Sequence, residues 1–372
     1  MELSSEDALR LNVLLANKPL AIRIHESDMT LHGLLAGSDV TIKLNPVGSD
    51  ERYLKTVRSY LSERALGNPG GYPLYLQRWT RQGRMREESL EQLLLLGEST
   101  AVFAVVCAEG LTDELARRAW WAVEEAENAR RMLQTDAVVK GETGRLLASY
   151  LVEYLPFETD SEAMMESVSK ALLPGLLDEA VRQLLWKKAA RKTPYLVGFI
   201  TATPDDLPES LPPRVDFSDC RVRLQPLIDN GNSTAVLLLK VLSGQGQTYL
   251  DTCRRILAKP NTQDVVCTTL DLMRNYLSIV RPEGNPDLTI EALIDNAAAM
   301  MALSDEAGAC LQVAPALDRE LAAIYLLSGL GFGVLRPALR GSSAMGSLLR
   351  KKLAPVLGTV LERIDLLLHK VA

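Results

Sequence analysis

Residues 266–280 read VCTTLDLMRNYLSIV, and their apolar side chains recur at helical spacing. Val266, Leu270, Met273 and Leu277 lie three or four residues apart, so they share one face of an α-helix. The charged Asp271 falls off that face. This stretch therefore predicts an amphipathic helix whose apolar stripe packs against a core.

The same spacing continues on both sides of this stretch. Apolar stripes run through residues 173–185 and 356–368, and Pro355 is a favoured first-turn residue for the last helix. Most of the pattern after residue 87 is of this kind, with short links that make neighbouring helices antiparallel. The prediction for this region is a helical array or irregular bundle.

The N-terminal segment combines one helix with three short strands. Residues 1–17 predict an amphipathic helix capped by Ser4 or Ser5. The residues expected on its apolar face are Leu9, Val13 and Ala16. Alternating stretches at 20–24, 29–32 and 40–44 predict a small antiparallel β meander with one wet face. The fold class is therefore mostly α, with this N-terminal meander.

The chain has 372 residues, which favours two domains. Residues 202–217 contain four prolines, and prolines at that density cannot continue a helix. We predict a Pro-rich linker there, between an N-terminal α+β domain at 1–201 and a C-terminal all-helical domain at 218–372.

Charge and composition favour a cytoplasmic protein. The net charge of -6 argues against general nucleic-acid binding, since such proteins are usually basic. The acidic N-terminus lacks the basic start of a signal peptide. Residues 321–335 form the longest apolar stretch of interest, and a membrane span needs about 20 residues. We expect no membrane span, while homo-oligomerisation stays open.

The chain carries no recognisable catalytic, metal or cofactor motif. Residues 329–333 read GLGFG, which lacks the dinucleotide-binding spacing and sits in an apolar run. Close helix packing or a helix break explains it better. The histidines are His25, His32 and His369, and no nearby cysteine completes a zinc set. His25 and His32 are expected to face each other across the meander.

Five scattered cysteines raise the question of thiol chemistry. The chain has no CxxC pair, and an odd count is typical of a reducing compartment. We expect buried structural cysteines. Cys220 is the strongest candidate for a reactive thiol, because Arg221 follows it near the Pro-rich segment.

Two clusters combine aromatic and basic residues and are candidates for partner binding. The first comprises Arg78, Trp79, Arg81 and Arg84; the second comprises Arg117, Arg118 and Trp121. If residues 111–125 are helical, Trp120 borders the buried stripe and Trp121 turns toward the polar face. Trp121 is then either an anchor for a protein partner or a local cation–π packing device.

These stretches also carry a resemblance to a known family. Residues 9–24 (LRLNVLLANKPLAIRI), 67–86 (GNPGGYPLYLQRWTRQGRMR) and 111–122 (LTDELARRAWWA) resemble the DsrS family. Its members are accessory proteins encoded with reverse dissimilatory sulfite reductase in sulfur-oxidising bacteria. The resemblance implies a soluble cytoplasmic protein that assists oxidation of stored sulfur, and it transfers no catalytic residue.

Two main classes of function follow from these observations. The first is a non-enzymatic accessory or scaffold protein that binds a protein partner of the sulfur-oxidation pathway. The alternative is a sulfur-relay or thiol protein that uses a single cysteine. A small-molecule sensor is a third option with less support.

Overall fold

The structure is a computed structural model that describes residues 3–46, 48–67, 87–281, 285–340, 342 and 344–368. Within them the chain is mostly helical, with a small antiparallel sheet near the N-terminus followed by helices. The predicted fold class is confirmed.

The chain forms two compact units. The first contains Met1–Tyr154 and Leu173–Leu177, and the second contains Leu155–Leu172 and Asp178–Ala372. This division differs from the predicted domains, because residues 202–217 lie inside the second unit. Arg214 anchors the Pro-rich segment there: its amide N–H donates to Leu242 O at 3.0 Å, and its guanidinium is buried.

The first unit contains eight helices and three strands among its described residues. They are α1 (Ser5–Ala16), β1 (Ala21–His25), β2 (Thr30–Leu34), β3 (Asp39–Lys43), α2 (Asp50–Leu66), α3 (Glu87–Leu93), α4 (Ser99–Val106), α5 (Asp113–Ala122), α6 (Ala126–Met132), α7 (Asp136–Val139) and α8 (Glu142–Tyr154).

The sheet has the order β1-β2-β3, and both pairings are antiparallel, as predicted for a meander. Its inner face packs on α1 and α2 through Ile22, Leu31 and Ile42. Gly33 on this face lets α1 approach closely, since an added Cβ would lie 2.5 Å from Leu14 Cδ1. The outer face is more polar.

Helix α1 buries a different face from the one predicted. Ser4 caps the helix as expected, but Leu9 and Val13 are 65% and 56% exposed. Leu11 and Leu14 are buried instead, one and two helical turns from the buried carboxylate of Asp7. Asp7 accepts hydrogen bonds from the Tyr53 hydroxyl at 2.5 Å and the Asn45 amide at 2.8 Å. These partners allow a charged residue to occupy the inner face.

The second unit consists of helices joined by turns and loops, with no strand among its described residues. Its α-helices are α9 (Ser161–Ala171), α10 (Glu179–Ala189), α11 (Thr193–Ala202), α12 (Phe217–Asp229), α13 (Ser233–Leu242), α14 (Gly244–Ala258), α15 (Gln263–Tyr276), α16 (Ile290–Leu303), α17 (Asp305–Val313), α18 (Asp318–Leu327), α19 (Phe332–Leu339) and α20 (Gly346–Leu367). Single 3-10 turns lie at Ser278–Val280 and Pro315–Leu317.

Two helix predictions in this region need correction. The stripe at 173–185 is interrupted by a turn around Pro174 and Gly175, so α10 begins only at Glu179. Helix α20 begins at Gly346, ahead of Pro355 rather than at it. Pro355 lies on the exposed side of the helix, while Val360 and Ile364 face the core as predicted and Leu361 of the same stripe is half-buried.

The GLGFG segment separates α18 from α19, which confirms the predicted helix break. An added Cβ at Gly331 would lie 2.6 Å from Pro286 O, and one at Gly333 would lie 2.3 Å from the Asp287 carbonyl carbon. Close packing therefore requires these glycines. Among the described residues, no single helix is long and apolar enough to cross a membrane; Pro315–Leu327 and Phe332–Leu339 pass that test only as a pair bent by 69°.

Candidate protein-binding surface

Helix α5 of the first unit carries the second aromatic-basic cluster. The Thr112 hydroxyl accepts from the Leu115 amide and caps the helix, and Asp113 and Glu114 complement its N-terminal dipole. Leu115 and Ala119 are buried, and Trp120 is buried beside them, in line with its predicted place next to the apolar stripe. This orientation fixes which of the remaining side chains reach the surface.

Arg117 and Arg118 converge on one carboxylate of the same helix. Arg117 donates to Glu114 from Nε and Nη2 at 2.7 Å each, and Arg118 Nε donates to it at 2.8 Å. Hydrogen bonding from Arg117 is the main cause that lowers the pKa of Glu114 to about 2. Arg118 also reaches Glu91 of α3 at 3.0 Å, so both guanidinium groups already have acidic partners.

Trp121 contacts the sheet. Its indole Nε1 donates to Asp39 Oδ2 at 3.2 Å, and the Arg23 guanidinium lies 4.6 Å from its ring centroid. Arg23 Nη1 also donates to the backbone oxygen of Trp121 at 3.2 Å. Trp121 is consequently half-buried, with contacts of the cation–π kind that the sequence analysis gave as the alternative to a partner anchor.

The same outer face of the sheet holds the two histidines. The ring centroids of His25 and His32 are 4.7 Å apart, which confirms that they face each other. His32 Nδ1 lies 3.1 Å from the Thr41 hydroxyl. Burial, followed by the charges of His25 and Arg23, lowers the pKa of His32. A neutral imidazole here avoids adding positive charge beside Arg23.

We call this outer surface the Trp121 face; it comprises Arg23, His25, His32, Asp39, Thr41 and Trp121. The strand register places Arg23 opposite His32 and His32 opposite Thr41. In the sequence, nothing connects the histidines with the Trp121 cluster. Strand register places Arg23 on the same face of the sheet as His25 and His32, a link that the sequence did not predict, and no local pattern connects them to α5.

The first aromatic-basic cluster, Arg78, Trp79, Arg81 and Arg84, lies outside the described residues. Its role in partner binding stays a prediction.

The cysteines offer little support for a reactive thiol. Burial raises the pKa of Cys220 to about 11, and that of Cys253 to about 12. Burial likewise raises the pKa values of Cys267 and Cys310 to about 11. Cys107 is exposed and Cys267 is half-buried, which corrects the prediction that all five are buried, but desolvation raises the pKa of Cys107 as well. Thiolates, which are the nucleophilic form, are therefore scarce near neutral pH.

The second unit contains a partly exposed polar cluster that the sequence did not predict. The Tyr276 hydroxyl donates to Asp205 Oδ1 at 2.8 Å, and Lys240 Nζ lies 2.8 Å from Asp205 Oδ2. Tyr249 stacks on Tyr276 with ring centroids 3.9 Å apart. Asp205 belongs to the Pro-rich segment, so this cluster helps to attach that segment to the helices.

Across the described ranges, no group of three or more histidine, cysteine or acidic side chains is arranged to hold a metal ion. The chain matches no protein-family model, no curated protein and no solved structure.

Proposed function

We propose that this chain is a non-enzymatic accessory protein of the cytoplasm that assists dissimilatory oxidation of stored sulfur. It binds a protein partner of that pathway through the Trp121 face and the adjoining Arg117 and Arg118 of α5. One observation supports this proposal above the others. Two of the three segments that resemble the DsrS family, 9–24 and 111–122, contact each other through Arg23 and Trp121.

The geometry of this contact suits an anchor for a protein partner. Arg23 and Asp39 hold Trp121 in one orientation while part of its ring stays accessible. A side chain that is already ordered loses less conformational entropy on binding. Tryptophan and arginine are the residue types that most often dominate interfaces. Half-exposed Arg117 extends the same helix surface.

The thiol alternative rests on Cys107, the exposed thiol of the described residues. Its pKa is raised by desolvation and then lowered in part by Arg131. A relay cysteine requires a lowered pKa instead, because the thiolate is the reacting species.

Co-purification from a sulfur-oxidising host tests the proposal. The tagged wild-type chain is expected to capture an enzyme of the sulfur pathway, and Trp121→Ala is expected to lose it. Leu303→Ala is the matched control, since Leu303 is 85% exposed and lies in the second unit. Equal capture by Trp121→Ala and wild type contradicts the proposed surface, and loss of sulfur oxidation in Cys107→Ala alone supports the thiol alternative.

A further inference from the structure

Strand β3 lies at one edge of the sheet, and its outward backbone groups at Thr41 have no hydrogen-bond partner among the described residues. Leu44 N donates to Met29 O at 2.9 Å, so Val40, Ile42 and Leu44 turn their backbone groups toward β2. The backbone N–H and C=O groups of Asp39, Thr41 and Lys43 therefore point outward, away from β2. Within the described residues, no hydrogen bond occupies the outward N–H and C=O of Thr41.

The opposite edge of the sheet differs. On β1, the outward amide of Ile22 donates to Leu94 O at 2.8 Å, so a neighbouring segment of the first unit covers that edge. The edge of β3 is met by a side chain instead: Arg10 Nη1 donates to Lys43 O at 3.1 Å. An uncovered edge of this kind is a template for pairing with another strand.

A groove with apolar walls runs beside this edge. It measures about 560 Å³, and α1 forms one wall with Leu9 and Val13. Val40 and Ile42 of β3 form the other side. Leu9 and Val13 are more than half exposed, although each belongs to a residue type that favours burial. Edge and groove therefore present backbone hydrogen-bonding groups and apolar side chains to the same occupant.

We propose that the occupant is a second copy of this chain, whose β3 pairs antiparallel with β3 about a two-fold axis at Thr41. The two sheets then form one six-stranded sheet, and the inference does not rest on the proposed function. This register places Asp39 of one copy opposite Lys43 of the other, and the symmetry repeats that pair. Cross-strand pairs of opposite charge stabilise a sheet.

The charge pattern selects this register over its neighbours. A two-fold axis at Asp39 would place two aspartates opposite each other, and an axis at Lys43 would oppose two lysines. Like charges at such positions destabilise the pairing. With the axis at Thr41, the outward N–H and C=O groups of both strands meet each other, and Val40 faces Ile42 of the other copy.

The same symmetry closes the groove. A two-fold axis perpendicular to the sheet leaves both α1 helices on one face, so Leu9 and Val13 of the two copies approach each other. Arg10 is already paired with Glu6, and a carbonyl oxygen has two lone pairs, so Lys43 O can accept from Arg10 and from a second strand. An interface in which each copy contributes the same patch is the commonest arrangement of dimers.

Charge exchange on the full chain tests this register. Sedimentation velocity over a concentration series is expected to show a dimer for the wild type. D39K and K43D are each expected to weaken the dimer about tenfold, because each replaces two attractive pairs with two repulsive ones. The double variant D39K/K43D should regain most of the affinity. D39K also removes the acceptor of the Trp121 indole, and recovery in the double variant separates that loss from the charge effect.

A second pair of variants tests the backbone contact. T41P removes the outward N–H and is tolerated on an edge strand, so it should give a folded monomer by circular dichroism and sedimentation. T41V keeps the N–H and should remain a dimer. A wild type that is monomeric at its highest soluble concentration overturns the proposal. So does a dimer that T41P leaves intact, or a double variant no tighter than the single ones.

Discussion

The indole N–H of Trp121 donates to the Asp39 carboxylate at 3.2 Å and thereby joins α5 to β3 across 82 residues of chain. Arg23 completes the contact from β1. The adjacent Trp120 lies 6% exposed and packs edge-to-face on Tyr150, with ring centroids 4.7 Å apart. Two consecutive tryptophans thus occupy different environments, which predicts different consequences for their removal.

Trp120→Ala is expected to destabilise the protein more than Trp121→Ala. Truncation of a buried tryptophan to alanine lowers the free energy of unfolding by about 3–5 kcal/mol. Loss of Trp121 removes one hydrogen bond and one cation–π contact at a half-buried site, about 1–2 kcal/mol together. Thermal unfolding of both variants measures the order, and Trp121→Phe is the control that keeps an aromatic ring over Arg23. A lower melting temperature for Trp121→Ala than for Trp120→Ala would contradict this assignment.

Thiol accessibility gives a second prediction. All five cysteines are free, and Cys107 is the exposed one. Cys220, Cys253 and Cys310 are buried and Cys267 is half-buried, so a reagent reaches them slowly, and burial also raises their pKa values. Titration of the native protein with a disulfide reagent should therefore detect one fast thiol, and all five after denaturation. Cys107→Ala should abolish the fast phase. A fast phase from Cys220 would refute the assignment.

Regular periodicity made much of the fold predictable. The meander follows from alternation, and the buried stripe of α20 follows from spacing of three and four residues. Helix α1 was assigned the wrong face because Asp7 interrupts its true apolar stripe. The partners that make Asp7 buriable, Tyr53 and Asn45, lie 46 and 38 residues away, so a local pattern cannot reveal them.

Long-range contacts explain what was missed at the candidate surface. The contact between His25 and His32 was predicted, and strand pairing places them as diagonal neighbours on one face of the sheet. The contact between Arg23 and Trp121 spans 98 residues, and helical periodicity alone assigned Trp121 to the polar face. The Pro-rich segment was placed between domains because prolines end helices. Whether such a segment stays exposed depends on tertiary contacts, such as that between Arg214 and Glu320.

The Glu114 ion-pair cluster predicts a stability change in acid. Its pKa falls from 4.5 to about 2 on folding, so the folded state favours the ionised form. The resulting stability is present above pH 4.5 and is lost as the pH falls toward 2. Since the side chain is 47% exposed, screening limits the effect to under about 1 kcal/mol. Glu114→Gln should lower the melting temperature at pH 7, with the difference from wild type shrinking between pH 4.5 and 2.

The control for that measurement is Glu63→Gln, which removes one negative charge at an exposed position of α2. It should change the melting temperature little across the same range. A difference for Glu114→Gln that is independent of pH would show that its hydrogen-bonding geometry, rather than its charge, stabilises α5.

The buried ion pair of the second unit gives the last prediction. Arg214 is 2% exposed and donates from Nη1 to Glu320 Oε1 at 3.0 Å, while Nε donates to Asp216 at 2.7 Å. Arg214→Met leaves Glu320 buried without a cation, and such losses cost about 3–5 kcal/mol. Arg214→Met combined with Glu320→Leu removes both charges, so it should be more stable than Arg214→Met alone. Urea unfolding of the wild type, Arg214→Met, Glu320→Leu and the double variant forms a double-mutant cycle. The cycle isolates the coupling free energy between Arg214 and Glu320.

Arg182→Met supplies the matched control within the same unit. Arg182 pairs with Asp206 at 3.0 Å, but that carboxylate is 81% exposed, so solvent replaces the lost partner. The control is expected to cost under about 1 kcal/mol. Equal destabilisation by Arg182→Met and Arg214→Met would contradict the argument, because burial of the unpaired carboxylate is the difference between the two sites. A double variant no more stable than Arg214→Met would show that Glu320 does not carry the penalty.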